Sequence, residues 1–163
     1  LIDQARAPLA SQAAQGGFQL VIDCASDALV SADPDALTQV LINLVDNAIK
    51  FSAEAQVKRI EIGCAADRDQ CAGRVPGPRG RDPGIWIGIR DHGPGIPKAE
   101  RRRVFELFQR MENESTRDTK GTGIGLALVE RLMRAMDGEV ALIGRDPGIE
   151  VRLRLRAAKS SAA

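Results

Sequence analysis

Tyrosine is missing from this 163-residue chain, tryptophan occurs once and phenylalanine four times. The core must therefore be built from Leu, Ile, Val and Ala. Histidine also occurs once, at His92, and the three cysteines, Cys24, Cys64 and Cys71, include no Cys-x-x-Cys pair. A zinc site thus lacks its usual ligand set. Cys64 and Cys71 are close enough in sequence to bridge, but reduced thiols in a cytosolic protein are the plainer expectation. Neither sign of charge dominates: 23 Lys and Arg stand against 22 Asp and Glu, net +1. That balance removes the simple electrostatic case for a nucleic-acid partner. No apolar run approaches the roughly 20 residues needed to span a bilayer. Leu1 to Ala10 has neither the basic end nor the apolar block of a signal peptide. The length suits one domain with a single core.

Residues 1–15 read as the helical end of an upstream segment. Phe18 to Cys24 alternates as a strand, and Ala28 to Ala32 admits a second, short one. Asp33-Pro34 is a helix start, with Asp as cap and Pro in the first turn. The helix predicted from it runs from about Asp35 to Phe51. Lys58 to Cys64 alternates, with Ile60, Ile62 and Cys64 on one face. Residues 65–84, rich in Gly, Pro and Arg, read as a long flexible loop because strands flank them. Ile85 to Asp91 is the next strand, and Pro97 to Phe108 a short basic helix. Residues 109–120 are polar and irregular. A helix is expected over 123–136, closed by Gly138. Glu139–Ile143 and Ile149–Arg156 form a hairpin. In its second strand Val151, Leu153 and Leu155 face in, and Arg152, Arg154 and Arg156 face out. Strands and helices do not alternate strictly. The pattern predicts an α+β two-layer sandwich with helices on one face, not a doubly wound parallel sheet.

Three stretches converge on one kind of ligand. In the helix Leu41–Phe51, the apolar stripe is Leu37, Leu41, Leu44 and Ala48. Asn43 and Asn47 stack on one face, and Lys50 joins them. Asn47 falls at the stripe's margin and should be partly buried, whereas Asp46 points to solvent. A partly buried amide needs partners, and its carbonyl oxygen is of the kind Mg²⁺ accepts. Lys50 supplies a point charge for phosphate. By itself this is also an ordinary amphipathic helix.

In the strand Ile85–Asp91, the period of two aims Asp91 at the core side with Ile85, Ile87 and Ile89. A carboxylate there needs a donor, and the exocyclic amino group of adenine is one. Gly93 and Gly95 let a flat ring approach the backbone. A tight turn with local Asp bonds reads equally well from these residues alone. The third stretch is Gly121-Thr122-Gly123-Ile124-Gly125-Leu126. It lacks the Gly-Lys-Ser/Thr ending of a P-loop, and its polar lead-in cannot be the strand that a dinucleotide fingerprint requires. It opens a helix whose N-terminal amides favour an anion. The glycines let the preceding segment swing as a lid, carrying Arg110, Arg117 and Lys120 towards phosphates; a ligand-free Gly-rich linker is the alternative.

Taken together these stretches resemble the ATP-binding catalytic domain of bacterial sensor histidine kinases, in the superfamily that includes gyrase B, Hsp90 and MutL. NLVDNAIKFS resembles the N box, DHGPGIP the first glycine box, FELF the F box and GTGIGLALV the second glycine box. Order and spacing match over residues 18–156. The resemblance implies the Bergerat ATP-binding fold, a mixed, mostly antiparallel sheet with helices packed on one face. It implies a catalytic domain at 16–157, a lid at 109–121 and a disordered tail at 158–163. Asn47 matches the Mg²⁺-binding asparagine, with Asn43 one turn earlier. Lys50 matches the phosphate-side lysine and Phe51 the aromatic beside the nucleotide. Asp91 matches the reader of the adenine amino group, in a pocket shaped by Gly93, Gly95 and Ile96. Arg110 and Lys120 approach from the lid, and Gly121, Thr122, Gly123, Gly125 and Leu126 face the phosphates. Phe105 and Phe108 pack at the lid's start.

Hydrolytic relatives resemble this helix but carry a glutamate where Asn43 stands; an amide cannot serve as that base. Phosphoryl transfer to a protein acceptor is favoured over rapid hydrolysis. The implied partners are ATP, a dimerisation domain bearing the acceptor histidine, and a downstream response regulator. The implied setting is the cytoplasmic side of a homodimeric, in some cases membrane-anchored, sensor. His92 sits in the pocket loop and is not the expected acceptor. Where the family often has Gly-Thr, the chain has Gly148-Ile149, so a hydroxyl contact is expected to be lost. An anti-sigma-factor-type serine kinase of the same superfamily and a non-catalytic nucleotide-binding module are the alternatives.

Overall fold

The computed structural model describes residues 2–24, 29–66, 84–101 and 124–158. The expected loop core and lid, with Phe105, Phe108, Arg110, Arg117, Lys120, Gly121, Thr122 and Gly123, lie outside the described residues, as does the tail from 159.

Helix α1 spans Ile2–Gln15 and α2 spans Pro34–Phe51. Helix α3 spans Ile124–Ala135, one residue shorter at each end than the sequence suggests. Strands β1 (Gln19–Asp23), β2 (Arg59–Ala66), β3 (Gly84–Arg90), β4 (Glu139–Gly144) and β5 (Ile149–Arg156) form one sheet in the order β1-β2-β3-β5-β4. Only β1 and β2 run parallel; the other neighbours are antiparallel. This is the mixed, mostly antiparallel sheet expected. Ala65, Ala66 and Gly84, assigned to the loop from sequence, belong to the strands. Ala28 to Ala32 contributes only an isolated bridge, Val30 to Ala157.

Helices α1, α2 and α3 each bury one face in a core shared with the sheet. Leu37, Val40, Leu41, Leu44, Val45 and Ala48 of α2 meet Ile60, Ile62, Ile87, Ile89, Leu153 and Leu155 from the strands. Val129 and Met133 of α3 close the same core. Each fully buried Leu or Ile side chain contributes about 1.5–3 kcal/mol relative to exposure, so these aliphatic residues suffice without rings. Helix α1 is part of this core, with Ala5, Leu9 and Ala13 buried. Its alternation of small and large residues gave no strong amphipathic signal in the sequence.

Helix boundaries follow local chemistry. Asp33 Oδ1 accepts from the amides of Asp35 (2.9 Å) and Ala36 (3.0 Å), and Pro34 opens the first turn. At the end of α3 the left-handed residue is Asp137 (φ 54°), not the expected Gly138. The Gly138 amide closes back on the Met133 carbonyl at 2.7 Å. Gly138 is still required, because a Cβ there would stand 2.9 Å from the Arg154 carbonyl.

Two expectations are corrected. The cysteines are not all reduced, and the bridge is not Cys64–Cys71: Cys24 and Cys64 form a disulfide. The parallel register pairs Asp23 with Gly63, so the next residues, both cysteines, fall side by side. A pairing across 40 residues was invisible before that register was known. Arg154 lies on the outer face but is buried, its guanidinium lying over Gly84. Arg156 is exposed as expected. No described helix is long and apolar enough to cross a membrane.

Candidate active site

The site begins where α2 ends. The apolar stripe seats α2 on the sheet, and α3 packs beside it. That packing places Gly125, in the first turn of α3, directly against Asn47: a Cβ on Gly125 would lie 3.1 Å from both amide atoms of Asn47. Asn47 is half-buried, as its position at the stripe's margin predicts. Among the described residues its amide makes no hydrogen bond. The first-turn amides of α3 lack intrahelical partners and carry partial positive charge. A neutral oxygen ligand and an anion-seeking helix end therefore share one spot.

Around them stand the other predicted residues. Asn43 is half-buried and donates from Nδ2 to the Gln39 carbonyl at 2.8 Å. Lys50 is exposed and pairs with Asp46 at 2.5 Å; Asp46 thus has a partner on α2 rather than only solvent. Phe51 exposes 64% of its surface, an uncovered ring at the end of the helix. Leu126 is buried in the core, which leaves its backbone as the part that can meet a ligand.

Asp91 follows β3 and is only 7% exposed. Its Oδ1 accepts from the Gly93 amide at 2.9 Å and the Ile149 amide at 3.3 Å. Burial pushes the carboxyl above its usual range, while those two amides, the nearby Ser52 hydroxyl and His92 pull the other way. The Gly93 and Ile149 amides both end on Oδ1 rather than Oδ2. Two glycines make this arrangement possible. Gly95 adopts φ +73° and Gly148 φ +97°. A Cβ on Gly148 would stand 2.0 Å from the Asp91 carbonyl oxygen, and one on Gly95 would stand 2.9 Å from the Gly148 carbonyl oxygen. Gly93 sits over the end of α2, where a Cβ would meet Ser52 Oγ at 2.6 Å. Ile96 is half-buried, and its carbonyl accepts from Arg101 Nε at 2.8 Å.

Three residues have contacts that the sequence reading did not give them. Ile149 supplies a backbone donor to Asp91 from 58 residues away, so the expected loss of a side-chain hydroxyl there does not remove the β5 contact. Ser52 is fully buried, and among the described residues its hydroxyl makes no well-formed hydrogen bond, although it lies beside Asp91. It was hidden because it lies one residue past the last helical position. His92 is buried, with Nε2 3.3 Å from Glu61 Oε1, and Glu61 also meets Arg59 at 2.8 Å. His92 therefore ties the loop to β2.

The structure thus joins Asn47, Gly125, Asp91, Gly93 and Phe51 at one end of the sheet. A buried carboxylate with a buried hydroxyl beside it, and an amide set against a helix start, suit an amino-bearing group at one end and an anion with its cation at the other. Comparison with known proteins agrees. The family model described as histidine kinase-, DNA gyrase B-, and HSP90-like ATPase matches residues 32–159. The sensor histidine kinase RcsC of Salmonella typhimurium is 35% identical over 127 residues, which is 78% of this chain and 12% of that protein. WalK of Bacillus subtilis, also a sensor histidine kinase, is 32% identical over 114 residues, 70% of this chain and 16% of that protein. The chain thus spans less than a fifth of either relative. The structure of full-length ShkA in complex with AMPPNP superimposes with a TM-score of 0.68 at 25% identity, covering 99% of this chain and 30% of that one. This chain belongs to the histidine kinase-, DNA gyrase B- and HSP90-like ATPase family.

Proposed function

We propose that the chain is the ATP-binding catalytic domain of a two-component sensor histidine kinase. It binds Mg-ATP and directs the γ-phosphoryl group to a histidine on a dimerisation domain, with a response regulator downstream. The observation that carries this is the meeting of Asn47 with the first turn of α3, on the same side of the sheet as Asp91. Asp91 Oδ2 takes the adenine amino group, and Phe51 covers the ring. Asn47 holds Mg²⁺, which when bound neutralises phosphate charge. The α3 amides and Lys50, released from Asp46, face the phosphates. Arg110, Lys120, Gly121, Thr122 and Gly123 contribute from the lid on the strength of the sequence.

The acceptor is not His92, whose side chain is 7% exposed and engaged by Glu61. Asn43 lacks the basicity to activate water. Transfer rather than hydrolysis follows: the bond from the γ-phosphorus to the bridging oxygen breaks, a nitrogen–phosphorus bond forms, and ADP leaves. Catalysis rests on positioning and electrostatics.

The test supplies the chain with γ-labelled ATP, Mg²⁺ and the dimerisation domain of its own parent protein. Acid-labile, base-stable label on the acceptor is expected, and it should vanish in Asn47→Ala. Acid-stable label would indicate a serine kinase instead, and no label at all would leave a nucleotide-binding module.

A further inference from the structure

Ser52 is the least explained polar group in the described structure. It is 0% exposed, and among the described residues its hydroxyl makes no well-formed hydrogen bond, although it lies beside the Asp91 carboxyl and acts on it. Leaving such a group unpaired is unusual in a native interior. Its backbone is fixed on both sides. The Ser52 amide donates to the Ala48 carbonyl at 3.0 Å, closing α2. The Ser52 carbonyl accepts from the Ala55 amide at 2.9 Å and from Lys58 Nζ at 3.3 Å. The side chain therefore cannot drift away from the loop it underlies. That loop carries Asp91, and Gly93 has no Cβ exactly where one would strike Ser52 Oγ.

We infer that Ser52 is a positioning residue for base recognition: its hydroxyl donates to the Asp91 carboxylate and holds Oδ2 towards the 6-amino group of a purine. This rests on the reading of Asp91 as the base-reading carboxylate. The chemistry is complementary. Oδ1 is already occupied by the Gly93 and Ile149 amides. A third donor from below fixes the carboxyl plane and supports its ionised form against burial; the hydroxyl already acts in that direction. No other described side chain is placed to replace it. His92, the next residue, turns its Nε2 to Glu61 of β2, which is shared with Arg59 and Arg90. On α2, Lys50 is paired with Asp46. On β5, Glu150 is held by Arg145 and Arg152.

The test measures affinity for ADP and IDP by calorimetry, with Mg²⁺, in the chain as it stands and in Ser52→Ala and Ser52→Thr. IDP replaces the 6-amino donor by a 6-oxo acceptor and leaves the phosphates unchanged. The unaltered chain should prefer ADP by about 10- to 100-fold, the range for one lost bond to a charged group. Ser52→Ala should shrink that preference by about 5-fold or more, through weaker ADP binding, with IDP nearly unchanged. Ser52→Thr, which keeps the hydroxyl, should restore it. An equal loss for both nucleotides in Ser52→Ala would show a merely structural residue and overturn the inference, as would an undiminished preference. If the unaltered chain did not distinguish ADP from IDP, Asp91 itself would not read the base, and the inference would fall with it.

Discussion

Replacing Gly148 by alanine attacks the joint that holds the Asp91 carboxylate. Gly148 has φ +97°, and the added Cβ would stand 2.0 Å from the Asp91 carbonyl oxygen and 2.7 Å from its carbonyl carbon. Both obstacles are backbone, so no rotamer change relieves them. The β4–β5 turn must move away from Asp91. That movement breaks the Asp91 amide to Ile149 carbonyl bond (3.0 Å) and the Ile149 amide to Asp91 Oδ1 bond (3.3 Å). Backbone strain costs about 1–3 kcal/mol. The neutral bond is worth about 0.5–1.5 kcal/mol and the charge-assisted one about 1.5–3 kcal/mol. A loss of roughly 3–7 kcal/mol is comparable with the whole stability of a domain. Gly17→Ala is the control: Gly17 also has positive φ, +78°, but nothing lies within 4 Å of its Cβ position. It should cost only the conformational term, about 1–2 kcal/mol. Urea denaturation of both variants measures the difference. Gly148→Ala no less stable than Gly17→Ala would refute the reasoning from close approach.

Asp91→Asn keeps an acceptor for the Gly93 and Ile149 amides but replaces the other carboxylate oxygen by a donor; under the proposed function nucleotide affinity should fall about 10- to 150-fold by calorimetry. Because burial raises the Asp91 pKa above 3.8, the folded state holds that proton more tightly than the unfolded chain. Stability from this group is full below 3.8 and is lost as pH rises through the folded value. Asp91→Asn should therefore melt at or above the parent at neutral pH, and that advantage should disappear in acid. For Glu150 burial acts upward, but Arg152 and Arg145 outweigh it and hold the pKa below 4.5. Its contribution is present above 4.5 and lost as pH falls towards the folded value, so Glu150→Gln should flatten the acid limb of the stability profile. Thiol titration of the unreduced, denatured chain should find one free cysteine, Cys71. Reducing the Cys24–Cys64 bridge should lower stability by about 2–4 kcal/mol.

The apolar periodicity of α2 was enough to place Asn47 at the edge of the buried stripe, and the alternation of β3 was enough to aim Asp91 inward. Both are consequences of local geometry, which a sequence carries directly. The partners of those residues are not local. Ile149 reaches Asp91 only because β3 pairs with β5, and Gly125 reaches Asn47 only because α2 packs on α3. The disulfide likewise depends on the parallel register of β1 and β2. Arg154 shows a different limit: strand alternation gave its face, but not the glycine beneath it that lets a guanidinium lie flat and buried. Ser52 shows a third, since a serine after a helix reads as an ordinary terminus until Gly93 is found above it.

The most direct measurement is calorimetric titration of the chain with a non-hydrolysable ATP analogue, with and without Mg²⁺, beside Asn47→Ala. Saturable binding at one site, strengthened by Mg²⁺ in the parent and insensitive to Mg²⁺ in Asn47→Ala, is the predicted result. Absence of saturable binding by the parent, or Mg²⁺ dependence that survives in Asn47→Ala, would contradict the assignment of these residues as the Mg-ATP site.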